Sequence, residues 1–105
     1  MKSIYTLTVG GKEYKLRLTT SAVMTTEKRL GKSMLTALEN IEENMMETLI
    51  TVLWGAMQAF NDNISFEDVA ELIDQYIDDG QSIENLMGEV YRLLEVSGFF
   101  TGGQA

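Results

Sequence analysis

Acidic side chains are the residues here with the clearest capacity for chemistry. The chain carries sixteen Asp and Glu against eight Lys and Arg, with no histidine and no cysteine. Carboxylates can hold a hard divalent cation or act in pairs as acid and base. A calcium loop needs oxygen ligands at positions 1, 3, 5 and 12 and a glycine at 6. A loop opened at Asn61 puts Phe66 at position 6 and Leu72 at 12, and one that places Gly80 at 6 ends on Leu86. Neither can close around an ion, so Asp78 and Asp79 read as a solvated helix end. Paired-carboxylate hydrolysis needs a cleft of defined width between its two acids, and a helical domain of 105 residues leaves little room for one. The lack of histidine removes the usual general base near neutral pH and the commonest metal ligand. The chain therefore reads as a non-enzyme with no catalytic, cofactor-binding or metal site.

Two further chemistries fall away on spacing. Gly10-Gly11-Lys12 lacks the spacing of a phosphate-binding loop and joins two strands, whereas that loop opens a helix. Lys12, Lys15, Arg17, Lys28, Arg29 and Lys32 could gather into a basic patch for nucleic acid. Stacking platforms need rings and bases on the same face. Here Tyr5 and Tyr14 share the hairpin's inward face with Leu7 and Leu16, and Lys15 and Arg17 point the other way. A net charge of -8 also disfavours nucleic acid and anionic membranes.

The elements that carry these residues follow from periodicity. IYTLTVGGKEYKLRLT alternates apolar and polar around Gly10-Gly11, which predicts a β-hairpin over about 4–9 and 12–19. A two-residue turn pairs Leu7 with Tyr14 and Tyr5 with Leu16, apolar opposite apolar. A three-residue turn would oppose Tyr5 to Arg17 and split the faces. A helix follows over Thr20–Leu30, capped by Thr20 or Ser21 and stopped by Gly31. A second short one runs from the Ser33 cap to about Asn40.

The most apolar segment, METLITVLWGAMQAF, belongs to a helix over 42–61. Met46, Leu49, Ile50, Leu53, Met57 and Phe60 form its inner stripe. Met45, Val52, Trp54, Ala56 and Ala59 widen that stripe, so this helix is the central one. A helix over 64–79 carries a Ser65/Asp68 capping box and an acidic outer face, and a last helix runs from the Ser82 cap to Gly98. The fold class is α+β, mainly α: a hairpin packed on a bundle of four to five helices, in one domain over 1–105, with 99–105 as a flexible tail. The longest uncharged stretch, 48–61, is 14 residues; a membrane span needs about 20. The N-terminus MKSIYTLTV is too short and polar for a signal peptide.

What remains is protein surface. Residues 1–32 hold seven basic residues against two acids, a balance of +5, whereas 33–105 hold Arg92 against fourteen acids, a balance of -13. Such asymmetry suits self-association, with Lys12, Lys15, Arg17, Lys28, Arg29 and Lys32 of one copy meeting acids of another. Seven methionines suit adaptable apolar contacts. Met45 and Trp54 lie nine residues apart, on opposite sides of their helix, so at least one faces another element or another chain. Phe99 and Phe100, before a glycine-rich end, either fold back or meet a partner. These four are the candidate partner-binding residues.

YTLTVGGKEYKLRLT followed by MTTEKRLGKSMLTAL resembles the start of small tail assembly chaperones of long-tailed phages and prophages of Gram-positive bacteria. The hairpin, the L-R-L-T stretch and the short helix ending R-L-G are also similar to a small tail-region protein of gene transfer agents. SFEDVAELIDQYIDDG and GEVYRLLEVSGFF extend the resemblance over nearly the whole chain. It is one of pattern and order, without an active-site motif. It implies a non-catalytic protein of the bacterial host cytoplasm that binds the tape-measure protein, with the tail tube protein as a further candidate partner, and keeps the tape measure soluble during assembly. It also implies a homo-oligomer. A structural tail or connector protein, or a small regulatory or nucleic-acid-binding module using the basic third, are the alternatives.

Overall fold

The structure is a computed structural model that describes residues 4–61 and 63–99. It opens with the antiparallel hairpin, β1 (Ile4–Val9) and β2 (Lys12–Arg17). Gly10 and Gly11 both take positive φ, 60° and 78°, as the tight turn between twisted strands requires. The register is the one that alternation predicts: Leu7 faces Tyr14 and Tyr5 faces Leu16. Leu7, Val9, Leu16 and Leu18 are buried, and Thr6, Thr8, Lys15 and Arg17 are exposed.

Helix α1 (Thr20–Leu30) follows directly. The strand ends two residues short of Thr19 because Thr19 is spent on the cap: its hydroxyl accepts from the Ala22 amide at 3.0 Å. It takes this role in place of Thr20 or Ser21. Gly31, at φ 75°, ends the helix in the left-handed conformation. Helix α2 (Met34–Glu39) is capped by Ser33, and the Glu27 carboxylate accepts from the Met34 amide at 2.9 Å.

The helix expected over 42–61 is two pieces. A single 3₁₀ turn (Ile41–Glu43) precedes α3 (Met45–Met57), and Asn44 between them, at φ -147° and ψ 58°, cannot lie in a continuous helix. Helix α3 is the central element. It packs on α1, α4, α5 and β2, and nine of its residues, 48–53 and 55–57, are buried. Phe60 and Met46, placed in the inner stripe by periodicity, are exposed (42% and 45%). Phe60 lies past the last helical residue, where 3.6-residue spacing no longer governs direction, and Met46 sits in the first turn, ahead of the buried segment.

Helix α4 (Phe66–Asp78) starts at the expected capping box. Ser65 Oγ accepts from the Asp68 amide and Asp68 Oδ2 accepts from the Ser65 amide, each at 3.0 Å. Helix α5 (Ile83–Ser97) runs from the Ser82 cap to Gly98 at φ 82°. The result is an α+β hairpin-on-helices fold. One core cluster joins Leu7, Leu16, Leu49, Leu53, Val69, Ile73, Leu86, Val90 and Leu93. Where the hairpin meets α3, α4 and α5, a void of about 10 Å³ lies among Leu7, Val9, Leu53, Met57 and Val69. Its apolar wall and size leave it dry.

Candidate interaction surface

Two bonding clusters fix the hairpin on the helices. At the turn, the Gly10 amide donates to Asp79 Oδ2 at 2.7 Å. Gln75 packs so closely there that a Cβ on Gly10 would lie 2.3 Å from its amide nitrogen. At the other end of β1, the Tyr5 hydroxyl donates to Glu89 Oε1, the Tyr76 hydroxyl lies 3.4 Å from Glu89 Oε2, and Arg92 Nε lies 3.4 Å from the Tyr5 oxygen. Burial, then the negative charge of Glu89, pushes the Tyr76 hydroxyl up to about 12. Burial, then the hydrogen bond to Glu89, raises that of Tyr5 as well. The bond to Tyr5 raises the Arg92 guanidinium. Both tyrosines stay neutral at physiological pH and act as donors, so this cluster holds the hairpin in place.

The candidate partner-binding residues separate. Trp54 is half-buried and does reach other elements. Its ring meets Phe66 of α4 edge-on, with centroids 6.2 Å apart, and the Arg29 guanidinium of α1 lies 3.7 Å from the Phe66 centroid and 5.5 Å from that of Trp54. Met45 is half-buried against the core. Phe99 is 48% exposed, and Phe100 and the tail beyond it lie outside the described residues. Of the six basic candidates, Lys15 and Arg17 stand on the outer hairpin face, and Lys28 and Lys32 are exposed around α1. Lys12 Nζ sits 5.3 Å over the Tyr14 ring. Arg29 is brought to Trp54, a pairing of two candidates that spacing could not reveal.

Other exposed apolar side chains carry no periodic signal that marks them as functional. Met24 (64% exposed) stands on the side of α1 opposite Ala22 and Thr26, in a shallow face with Thr20, Ser21, Thr25 and Lys28. Leu35 (56%) lies on α2. Tyr14 borders two open depressions. One, of about 280 Å³, is lined by Ile64, Asp68, Glu71, Leu72 and Gln75; the other, of about 230 Å³, by Lys12, Glu13, Lys15, Phe60 and Asn61. Among the described residues, no group of three acids, histidines or cysteines is placed to hold a metal ion. No helix among them is long and apolar enough to cross a membrane.

A family model matches residues 1–104: DUF6096, a family of unknown function. No curated protein and no solved structure matches the chain.

Proposed function

The chain belongs to DUF6096, and since that membership carries no described activity, we propose, from the sequence resemblance given above together with its surfaces, that it is a tail assembly chaperone of long-tailed phages or prophages. In this reading it works in the host cytoplasm as a homo-oligomer. It binds the tape-measure protein, a long apolar helical chain, and keeps it soluble while tail tube protein assembles around it. The observation that carries the reading lies on α4, α5 and the residues just after α5. Ile77, Tyr91, Val96 and Phe99 are exposed within a segment whose only cation is Arg92. Adaptable apolar contacts supply affinity for a helical partner, and same-sign charge around them keeps the coated chain from aggregating. The basic hairpin and α1 supply the contact between copies.

The test is co-expression with the tape-measure reading frame of the same tail operon, then affinity capture and mass by light scattering. The expected product is a soluble complex with several copies of this chain per tape-measure chain. An insoluble tape measure beside an unbound small protein overturns the reading.

A second reading, a nucleic-acid-binding or regulatory module, draws on the exposure of Lys15 and Arg17 on the outer hairpin face. It would need stacking rings beside those cations, whereas Tyr5 is committed to Glu89. Salt-sensitive retention on DNA would favour it. Presence in purified particles would instead favour a structural tail or connector protein.

A further inference from the structure

We infer that the outer face of α4 receives the outer hairpin face of a second copy of this chain, with Lys15 and Arg17 of one copy set against Asp74 and Asp78 of the other. The inference deepens the homo-oligomer of the chaperone reading, on which it rests for its role, by naming the two surfaces that meet.

Glu67, Glu71, Asp74 and Asp78 recur at i, i+4, i+7 and i+11, opposite the buried Val69, Ile73 and Tyr76. All four are exposed. Helix α4 holds no lysine or arginine, so successive acids along this stripe form like-charge pairs at i+3 or i+4 spacing, which weaken a helix. Asp78 also sits in the last turn, at the negative end of the helix dipole, with no basic residue beside it. Asp79 accepts from the Gly10 amide, but among the described residues no group of the same chain donates to the four stripe carboxylates. The stripe therefore lowers the stability of an isolated copy, and a cationic surface laid along it offsets that loss.

The chain itself carries such a surface. Of the six basic candidates, Lys12 lies over Tyr14 and Arg29 over Phe66. Lys15, Arg17, Lys28 and Lys32 are exposed, and among the described residues none of them pairs with an acid of its own chain. Lys15 and Arg17 project from one face of β2 about 7 Å apart, close to the ~6 Å rise from Asp74 to Asp78. Each cation can then meet one carboxylate. A copy cannot make this contact with itself. Val69 and Ile73 of α4 pack against Leu7 and Val9 on the inner hairpin face, so the acidic stripe and the outer hairpin face point away from each other across the core. Opposite charges on opposite sides of one molecule are complementary only between molecules.

The test is a charge swap in the full chain, read as mass by light scattering at low salt. One variant carries Lys15→Glu with Arg17→Glu, the other Asp74→Lys with Asp78→Lys. The expected result is a parent that self-associates, two variants that each stay at the mass of one chain, and an equimolar mixture that regains the parent's mass. Urea midpoints, taken at a dilution where the parent is monomeric, confirm that each variant folds. The midpoint of the Asp74→Lys, Asp78→Lys variant should lie above the parent's, because cations then stand at the helix C-terminus. Variants that assemble as the parent does, a mixture that stays at one chain, a parent that never self-associates, or an acidic-stripe variant no more stable than the parent would each overturn the inference. Capture of the tape measure by the parent chain decides the chaperone reading separately. Capture beside a failed swap leaves that reading standing, and a successful swap without capture overturns the reading and leaves the contact.

Discussion

Gly55→Ala is the substitution that most sharply tests the packing of α1 on α3. In an exposed helix this change stabilises by about 1 kcal/mol through helix propensity. At position 55 a Cβ would lie 1.9 Å from Thr26 Oγ1, 3.3 Å from Thr26 Cβ and 3.4 Å from the Ala22 carbonyl oxygen. The first distance is far inside any non-bonded contact. Thr26 cannot turn away freely. It is fully buried, and its hydroxyl donates to the Ala22 carbonyl at 2.8 Å. Breaking that bond strands a buried hydroxyl at about 1–3 kcal/mol, and spreading the helices costs a similar ~1–3 kcal/mol. Whichever route relieves the clash, once the propensity gain is subtracted Gly55→Ala should destabilise by up to about 2 kcal/mol. Urea denaturation followed by the fluorescence of the single tryptophan, Trp54, measures it. In a Thr26→Ala background the worst clash is gone, so the same change should be close to neutral or stabilising. The cycle should then show a coupling of at least ~1 kcal/mol. Gly55→Ala that stabilises the parent chain, or that costs the same in both backgrounds, would refute the close crossing.

Three further expectations follow from the same geometry. Tyr76 titrates near 12 in the fold and at 10.0 when unfolded, so above pH ~10 the unfolded chain has shed a proton that the native one keeps. Stability should therefore fall as pH rises from about 10 towards 12, and Tyr76→Phe should flatten that fall in urea midpoints taken across the range. A parent and a variant with equal slopes would remove Tyr76 as the cause. Ser65→Ala should cost about 1 kcal/mol by losing the α4 cap, read as a lower urea midpoint with unchanged m-value; no shift would mean that the α4 start is held by packing alone. Self-association through the basic hairpin and α1 should weaken in 1 M salt, where the screening length falls to about 3 Å. An oligomer whose mass by light scattering is the same at low and high salt would show that charge does not hold it.

How far the sequence reveals this fold depends on the range of the interaction. The hairpin register was legible because a two-residue turn keeps Tyr5, Leu7, Tyr14 and Leu16 on one face, whereas a three-residue turn would split them. The Ser33, Ser65 and Ser82 caps and the stops at Gly31 and Gly98 are local too. The break at Asn44 was not legible, since nothing near it is a strong helix breaker and the turn before it is acidic, as a helix start would be. Met46 and Phe60 show the limit of periodicity. A stripe says which side of a helix is apolar, but not how far the neighbouring elements extend along it. The contacts of Arg29 with Trp54 and Phe66, and of Tyr5 with Glu89 and Arg92, join residues from 25 to 87 positions apart. The one clue to the second was that Arg92 is the only cation after Lys32. The two depressions beside Tyr14 are likewise invisible in one dimension, because β2, the loop after α3 and α4 meet only in the fold.

The bond from Tyr5 to Glu89 spans 84 residues, and that span has a consequence for synthesis. The first strand leaves the ribosome long before the helix that receives it. At ~5–20 residues per second, roughly 4–17 s separate the two. Throughout that interval the side chains of Leu7, Val9 and Leu16 have no α5 to cover them. The hairpin can form early, since its contacts are local, yet a two-stranded sheet alone is marginal in water. A nascent chain stalled ahead of Ile83 should therefore present an unfinished apolar face. The core of the described residues is covered only when α5 closes over β1.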